Sequence, residues 1–323
     1  MDRNNADETG ISGDGERSST SVDLQTQGNV CATPIFCYGG FLVNYVRSFL
    51  AIGLLAGFSA QAQTSQSATV PPNRIAHVLV IAQTKGFEHD SIPNAMATIW
   101  KMGHDTRLYE ATLRTDTELL TKAEIKDRNV KNLNYFDALV FASTTGELDL
   151  TDAQKRDMMS FIQDDGKGFV GVHAALDTNY KWPEYGEMIG GWFDQHPWMT
   201  FNAPIVVEDP TFPAVRHFPK EFVKRDEIYQ DKNWSRDKVN VLLSLDASKL
   251  DYTNNPRIHR ADRDFAVAWA KTYGKGRVFY STLGHTAEAW DDPDIQKMYF
   301  EAIKWVLGMT EGSTASHPAH SEP

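Results

Sequence analysis

Three histidines could carry chemistry, because each stands at or just after the end of a predicted β-strand. His89 follows the first strand, His173 ends the fourth and His285 follows the last. Ligands of open α/β sheets bind outside the carboxyl ends of the strands, so this topology brings the three side chains to one edge. A neutral imidazole there suits proton transfer near neutral pH or binding of a zinc-like divalent metal, and the sequence does not separate these uses. A lone histidine is more often structural, but three at strand ends favour a site.

Other side chains of suitable type lie between these histidines. His196 follows the pair Gly190-Gly191, and glycines permit close approach of the backbone or a positive φ, although a plain turn is the alternative. Glu227 and Tyr229 alternate along a predicted strand and therefore share a face. Such a face could line a sugar pocket or could simply be solvated. The common motifs for a serine nucleophile, a nucleotide phosphate or a helical zinc site are absent.

The elements that must position these residues alternate between strands and helices in the first half of the chain. Continuous apolar runs such as 75–82 are typical of strands buried on both faces. The alternation predicts βαβ units on a parallel sheet. The predicted strands are 75–82, 105–110, 136–142 and 168–173. The predicted helices begin near Ser91–Pro93, Thr115–Asp116 and Thr151.

From about Trp192 the pattern changes to strands separated by turns rich in Pro, Asp, Asn and Gly. The predicted strands are 201–208, 221–229, 239–245, 265–270 and 277–283, followed by a helix from Asp292 to Leu307. We therefore predict an α/β fold, with a doubly wound, mainly parallel sheet and a β-rich insertion or extension. The domain spans residues 75–308, between a linker at 63–74 and a disordered tail at 309–323.

The first 62 residues have the pattern of an N-terminal extension and a secretory signal peptide. Arg47 precedes a ten-residue apolar core at 49–58, and Ala60-Gln61-Ala62 predicts cleavage after Ala62. The apolar core is too short to span a bilayer, although an uncleaved anchor is the alternative. The pattern predicts a periplasmic or secreted protein with no stable membrane span. The polar stretch before the signal indicates a translation start downstream of Met1.

Cleavage there would remove both cysteines, Cys31 and Cys37. The mature chain could then have neither a disulfide nor a catalytic cysteine. The full chain carries a formal net charge of −11 and no basic run, which argues against a nucleic-acid partner. A homodimer is expected on general grounds only.

Five ordered segments resemble the ThuA-like, or trehalose-utilisation, family over about residues 75–308. They are K-G-F-E-H-D-S-I (85–92), G-F-V-G-V-H-A-A (168–175), G-G-W-F-D-Q-H-P (190–197), R-D-E-I-Y (225–229) and Y-G-K-G-R-V-F-Y-S-T-L-G-H-T (273–286). The resemblance implies a flavodoxin-like three-layer sandwich related to class I glutamine amidotransferases. Those enzymes carry a nucleophilic cysteine where this chain has His173, so glutamine hydrolysis through a thioester is excluded.

The resemblance also implies a small-molecule sugar substrate, in particular a disaccharide or its 3-keto derivative. A ketone acidifies neighbouring C–H bonds, so acid–base or metal-assisted chemistry would allow isomerisation, elimination or hydrolysis. The predicted catalytic residues are His173, His285 and Glu227. The predicted substrate contacts are His89, Tyr180, Trp192, Tyr229 and Asp177. The candidate ligands for a divalent metal such as zinc are His89, His173, His196 and His285.

Two other classes of protein remain open at this point. One is a non-catalytic carbohydrate-binding protein, and the other is a structural or partner-binding envelope protein. Ordinary glycoside hydrolysis requires a pair of carboxylates. No such pair is evident, although Glu147, Asp177 and Glu227 are candidates.

Overall fold

The computed structural model describes residue 71, residues 74–126 and residues 131–319. The predicted signal peptide, its cleavage site, both cysteines and most of the predicted linker lie outside these ranges. Within them, no helix is long and apolar enough to cross a bilayer.

The described chain forms a nine-stranded sheet, a separate two-stranded sheet and four α-helices. The strands are β1 (Ala76–Ile81), β2 (Tyr109–Arg114), β3 (Ala138–Ala142), β4 (Gly168–Val172), β5 (Trp192–Gln195), β6 (Thr200–Val207), β7 (Glu221–Glu227), β8 (Gln230–Lys232), β9 (Asn240–Leu245), β10 (Ala266–Tyr273) and β11 (Gly276–Ser281). The helices are α1 (Ile92–Thr106), α2 (Asp152–Gln163), α3 (Pro183–Ile189) and α4 (Pro293–Val306).

The large sheet has the order β2-β1-β3-β4-β11-β10-β9-β6-β7. The strands from β2 to β11 in this order pair in parallel, and those from β11 to β7 pair antiparallel. The predicted fold class is therefore confirmed: a mainly parallel core sheet carries a β-rich part, which continues the same sheet as an antiparallel extension. The small sheet pairs β5 with β8.

Helices cover both faces of the parallel part. Val78 and Val80 of β1 pack into the core that contains α1 and α4, whereas Leu79 and Ile81 pack into the core with α2 and α3. Successive strand residues point to opposite faces, so a run that is apolar at every position is buried on both sides. This explains why residues 78–81 of β1, and β3 and β4 over their full lengths, are continuous apolar segments.

Two predicted elements in the first half are corrected. The second strand is Tyr109–Arg114 rather than 105–110, because α1 continues to Thr106 and Arg107 then adopts φ 56°. The short helix expected at Thr115–Asp116 is wrong. Asp116 Oδ1 instead accepts a hydrogen bond from the Glu118 backbone N–H at 2.9 Å, which is a turn arrangement that competes with helix formation.

The segment after α4 has no regular secondary structure in its described part, 309–319, but it makes specific contacts with the domain. Asn240 Nδ2 donates to Ser313 O at 2.8 Å, and Arg277 donates to Thr310 O at 2.9 Å. His317 Nε2 lies 2.9 Å from Val241 O. These bonds attach the segment to β9 and β11.

Candidate active site

His173 is placed by the pairing of two neighbouring parallel strands. It directly follows β4, adopts φ 43° and is fully buried. Its Nδ1 lies 2.6 Å from Thr282 O, just after β11. A carbonyl oxygen only accepts, so Nδ1 carries the proton and Nε2 presents a lone pair. The fold thereby sets the tautomer of His173.

Three other side chains meet His173 on the side of that lone pair. His89, His173, Glu227 and His285 each offer one ligand-type atom, and these atoms lie within 4.8 Å of one another. We call these four residues the His/Glu cluster. His285 Nδ1 is 3.1 Å from His173 Nε2 and 3.3 Å from Glu227 Oε2. The Tyr229 hydroxyl donates to His173 Nε2 at 3.0 Å.

The antiparallel extension delivers Glu227 and Tyr229 to this cluster. Three strands separate β7 from β11 in the sheet, which would be roughly 19 Å across a flat sheet with strands about 4.8 Å apart. Yet the Tyr229 backbone N–H donates to Thr282 Oγ1 at 3.1 Å. The carboxyl end of β7 therefore returns to the carboxyl end of β11, and the extension must bend to allow this.

Asp226 holds the two loops together at this return. Its carboxylate accepts from the backbone N–H groups of Gly284 at 2.7 Å, His285 at 3.0 Å and Glu227 at 2.9 Å. The side chain is only 1 % exposed. Three backbone donors on one buried carboxylate fix the chain on either side of the cluster.

Burial shifts the protonation of every member of the His/Glu cluster. Burial and the nearby His285 lower the pKa of His89 to about 4, and burial with the two neighbouring histidines lowers the pKa of His173 well below 6.5. Burial and His196 lower the pKa of His285. Burial raises the pKa of Glu227 to about 7. Neutral imidazoles beside a carboxylate can accept protons or bind a cation.

The cluster fits a divalent metal by donor type and by spacing. Zinc takes imidazole nitrogens and carboxylate oxygens, and the ligands of a tetrahedral ion lie roughly 3.3 Å apart. The separations of 3.1 and 3.3 Å given above match this spacing, and His173 Nε2 lies 3.7 Å from Glu227 Oε2. His89 Nδ1 is buried without a hydrogen-bond partner. Histidines that bind metals generally donate from their other ring nitrogen to an oxygen atom, and His173 Nδ1 makes such a bond to Thr282 O.

The structure brings together most of the residues predicted to act in catalysis or metal binding. His89, His173, Glu227 and His285 form the cluster, with Tyr229 in contact with it. His196 lies outside the four-residue group, although its Nδ1 is 3.8 Å from Glu227 Oε1. Its ring stacks on Phe193, whose ring in turn contacts Tyr229.

The remaining predicted substrate contacts form a second group beside Phe193. The Tyr180 hydroxyl donates to Asp177 Oδ1 at 2.6 Å and to Phe193 O at 3.2 Å. Tyr180 stacks on Trp192 with ring centroids 6.5 Å apart. Glu147, a candidate for a carboxylate pair, instead accepts a hydrogen bond from the Lys181 backbone N–H at 3.0 Å.

Two contributors to the site were missed from the sequence. Strand alternation places Asp226 on the opposite face from Glu227, and its backbone partners Gly284 and His285 are 58 and 59 residues away in the sequence. Thr282 contributes its backbone carbonyl and its hydroxyl, and no sequence motif indicates either contact. Its position directly after the last core strand was the available signal.

Comparisons with known proteins agree with this fold. Residues 77–306 match the model of the ThuA family, described as trehalose utilisation. A ThuA-like protein of known structure from Bacteroides uniformis is 22% identical with a TM-score of 0.57, over 74% of this chain and 94% of that one. Another, from Parabacteroides merdae, is 17% identical with a TM-score of 0.55, over 76% and 98%. No curated protein matches the sequence. The structural matches concern the fold alone.

Proposed function

Because this chain belongs to the ThuA family, described as trehalose utilisation, we propose that it is a sugar-processing enzyme acting on a disaccharide or its 3-keto derivative. The observation that carries the proposal is the His/Glu cluster at the carboxyl edge of the parallel sheet. The imidazole and carboxyl groups of the cluster lie within 4.8 Å of one another. Clusters of titratable groups with shifted pKa values are typical of catalytic sites. A purely structural role would not require three histidines around one carboxylate.

The cluster suits removal of a proton next to a ketone. In a 3-keto disaccharide, Glu227 takes the proton from the carbon between the ketone and the anomeric carbon. The electron pair of that C–H bond forms a carbon–carbon double bond, and the bond to the glycosidic oxygen breaks. His285 takes this proton at Nδ1, which lies 3.3 Å from Glu227 Oε2, and gives the proton on its Nε2 to the leaving oxygen. Glu227 is again a carboxylate, and His285 returns to its starting tautomer by proton exchange with water, so the elimination needs no further reactant.

A metal would be held by His89, His173 and His285, with Glu227 beside them. When bound, a divalent ion would act as a Lewis acid that polarises the ketone. Thr282 O orients His173 through Nδ1, which leaves Nε2 as the nitrogen that would hold the ion. The Tyr229 hydroxyl donates to Nε2 in this structure, so it would have to release that lone pair when an ion or a proton takes it.

Elimination fits the site better than ordinary glycoside hydrolysis. Hydrolysis needs two carboxyl groups facing the glycosidic bond. Only Glu227 supplies a carboxylate to the cluster, because the Asp226 carboxylate is occupied by three backbone N–H groups. Aromatic rings and a carboxyl group of the kind that binds a sugar ring lie nearby, on Tyr180, Trp192 and Asp177.

Turnover of 3-keto-trehalose by the purified protein tests the proposal. We expect the wild type to cleave it, and Glu227→Gln to lower kcat by about 10²-fold or more, since the amide cannot accept the proton. Glu221→Gln is the matched control, because Glu221 lies on the same strand but pairs with the exposed Lys249. Sugar binding without turnover by the wild type would instead indicate a non-catalytic binding protein.

A further inference from the structure

Phe87 exposes more of its side chain than any other large hydrophobic residue of the described chain. It is 66 % exposed, whereas the next is Val223 at 60 %. Single exposed hydrophobic residues are common and need no explanation by themselves. Phe87, however, lies against the His/Glu cluster: its ring meets that of His89 edge-on, with centroids 4.8 Å apart.

The backbone around Phe87 is held in place rather than loose. Thr145, which is fully buried, accepts hydrogen bonds from the Lys85 and Gly86 backbone N–H groups at 2.8 and 3.2 Å. Its hydroxyl donates to Phe87 O at 2.8 Å. Further along, Ser91 Oγ donates to Gly284 O at 3.0 Å, which ties this loop to the loop that carries His285. The ring is therefore presented to solvent from a fixed backbone.

We propose that Phe87 is a substrate-contacting residue whose ring packs on the apolar C–H face of a bound sugar. The inference rests on the proposed function and adds a specificity-determining residue to it. A sugar ring has a polar edge and a weakly apolar face, and an aromatic ring beside a set of polar groups matches both. Because Phe87 touches His89, a sugar on this ring lies next to the cluster.

Steady-state kinetics on 3-keto-trehalose distinguish this role. We expect Phe87→Ala to raise KM about tenfold while kcat changes less than about twofold, because the contact is made equally in the ground state and the transition state. Phe87→Tyr keeps the ring and should retain a KM close to that of the wild type. Trp100→Ala removes another exposed ring, on α1, and serves as the matched control with unchanged KM.

The proposed function and the role of Phe87 can be contradicted separately by these measurements. If the wild type turns over no 3-keto-trehalose, the proposed function is contradicted, and the role of Phe87 with it. If the wild type is active but Phe87→Ala keeps its KM, the inference alone is overturned. A KM for Phe87→Tyr as high as that for Phe87→Ala would also overturn it. All these variants alter exposed side chains, so each should fold.

Discussion

At the scale of single residues, the site depends on a carboxylate that need not touch the substrate. Asp226 joins the end of β7 to the loop after β11 through the backbone N–H groups of Gly284, His285 and Glu227. Burial raises its pKa to about 7 even though these three donors oppose the shift. We regard Asp226 as a positioning residue for His285 and Glu227.

Asp226→Asn tests this positioning role. The amide keeps one acceptor oxygen but turns an N–H group toward a backbone N–H, so one buried donor loses its partner. We expect a loss of about 1–3 kcal/mol in the free energy of unfolding. We also expect kcat to fall about 10–100-fold in the folded variant, because small displacements of catalytic groups are costly.

The control is Asp246→Asn, which alters an aspartate that caps the turn at Ser248. That variant should keep the kcat of the wild type. If Asp226→Asn lost stability but kept its kcat at a temperature where it is folded, Asp226 would be structural only. Circular dichroism and turnover on the same samples make the comparison.

At the scale of elements, the edge of the sheet opposite the site contains an ion-pair network around the buried Asp137. Asp137, just before β3, accepts from Arg74 at 2.6 Å, the His77 backbone N–H at 2.9 Å and Lys167 at 2.9 Å. Burial alone would raise the pKa of Asp137, but these donors outweigh it and lower the pKa below 3.8. The network joins the starts of β1, β3 and β4.

This shift predicts a pH dependence of stability. A depressed folded-state pKa means that the stabilisation from Asp137 is fully present above the unfolded value near 3.8 and is lost as pH falls through the lower folded value. Asp137→Asn should therefore lower the free energy of unfolding by about 1–3 kcal/mol at pH 7. The difference from the wild type should shrink at strongly acidic pH, as measured by urea unfolding. A difference independent of pH would contradict the assignment.

The elements themselves were predictable where local sequence determines them. Thr151 begins α2 through a capping box with Gln154, and Asp292 caps α4 ahead of Pro293, both as local patterns indicate. The start of β2 was not predictable in this way. Gly103 of α1 leaves no room for a Cβ against the Tyr109 ring, and this tertiary contact sets where the helix and strand pack. The short α3 and the β5–β8 pair likewise lack a long periodic pattern.

At the scale of the whole molecule, the parallel part supplies the three histidines of the site, and the antiparallel extension supplies Glu227 and Tyr229. Strand topology predicted that His89, His173 and His285 would converge, because they follow parallel strands of one sheet. The placement of Glu227 beside them depends on how far the extension bends, which periodicity does not encode. The same holds for Asp226 and Thr282, whose contacts join segments far apart in sequence.

Removal of the proton next to the ketone is the step that the His/Glu cluster must perform, and proton NMR follows it directly. In D₂O, the wild type should abolish the signal of the C–H hydrogen between the ketone and the anomeric carbon of 3-keto-trehalose, either because deuterium returns to that carbon or because elimination follows. Glu227→Gln and His173→Ala should slow the loss of this signal by about 10²-fold or more. A loss with the wild type no faster than in buffer, or equally fast with the two variants and the wild type, would contradict proton removal by the cluster.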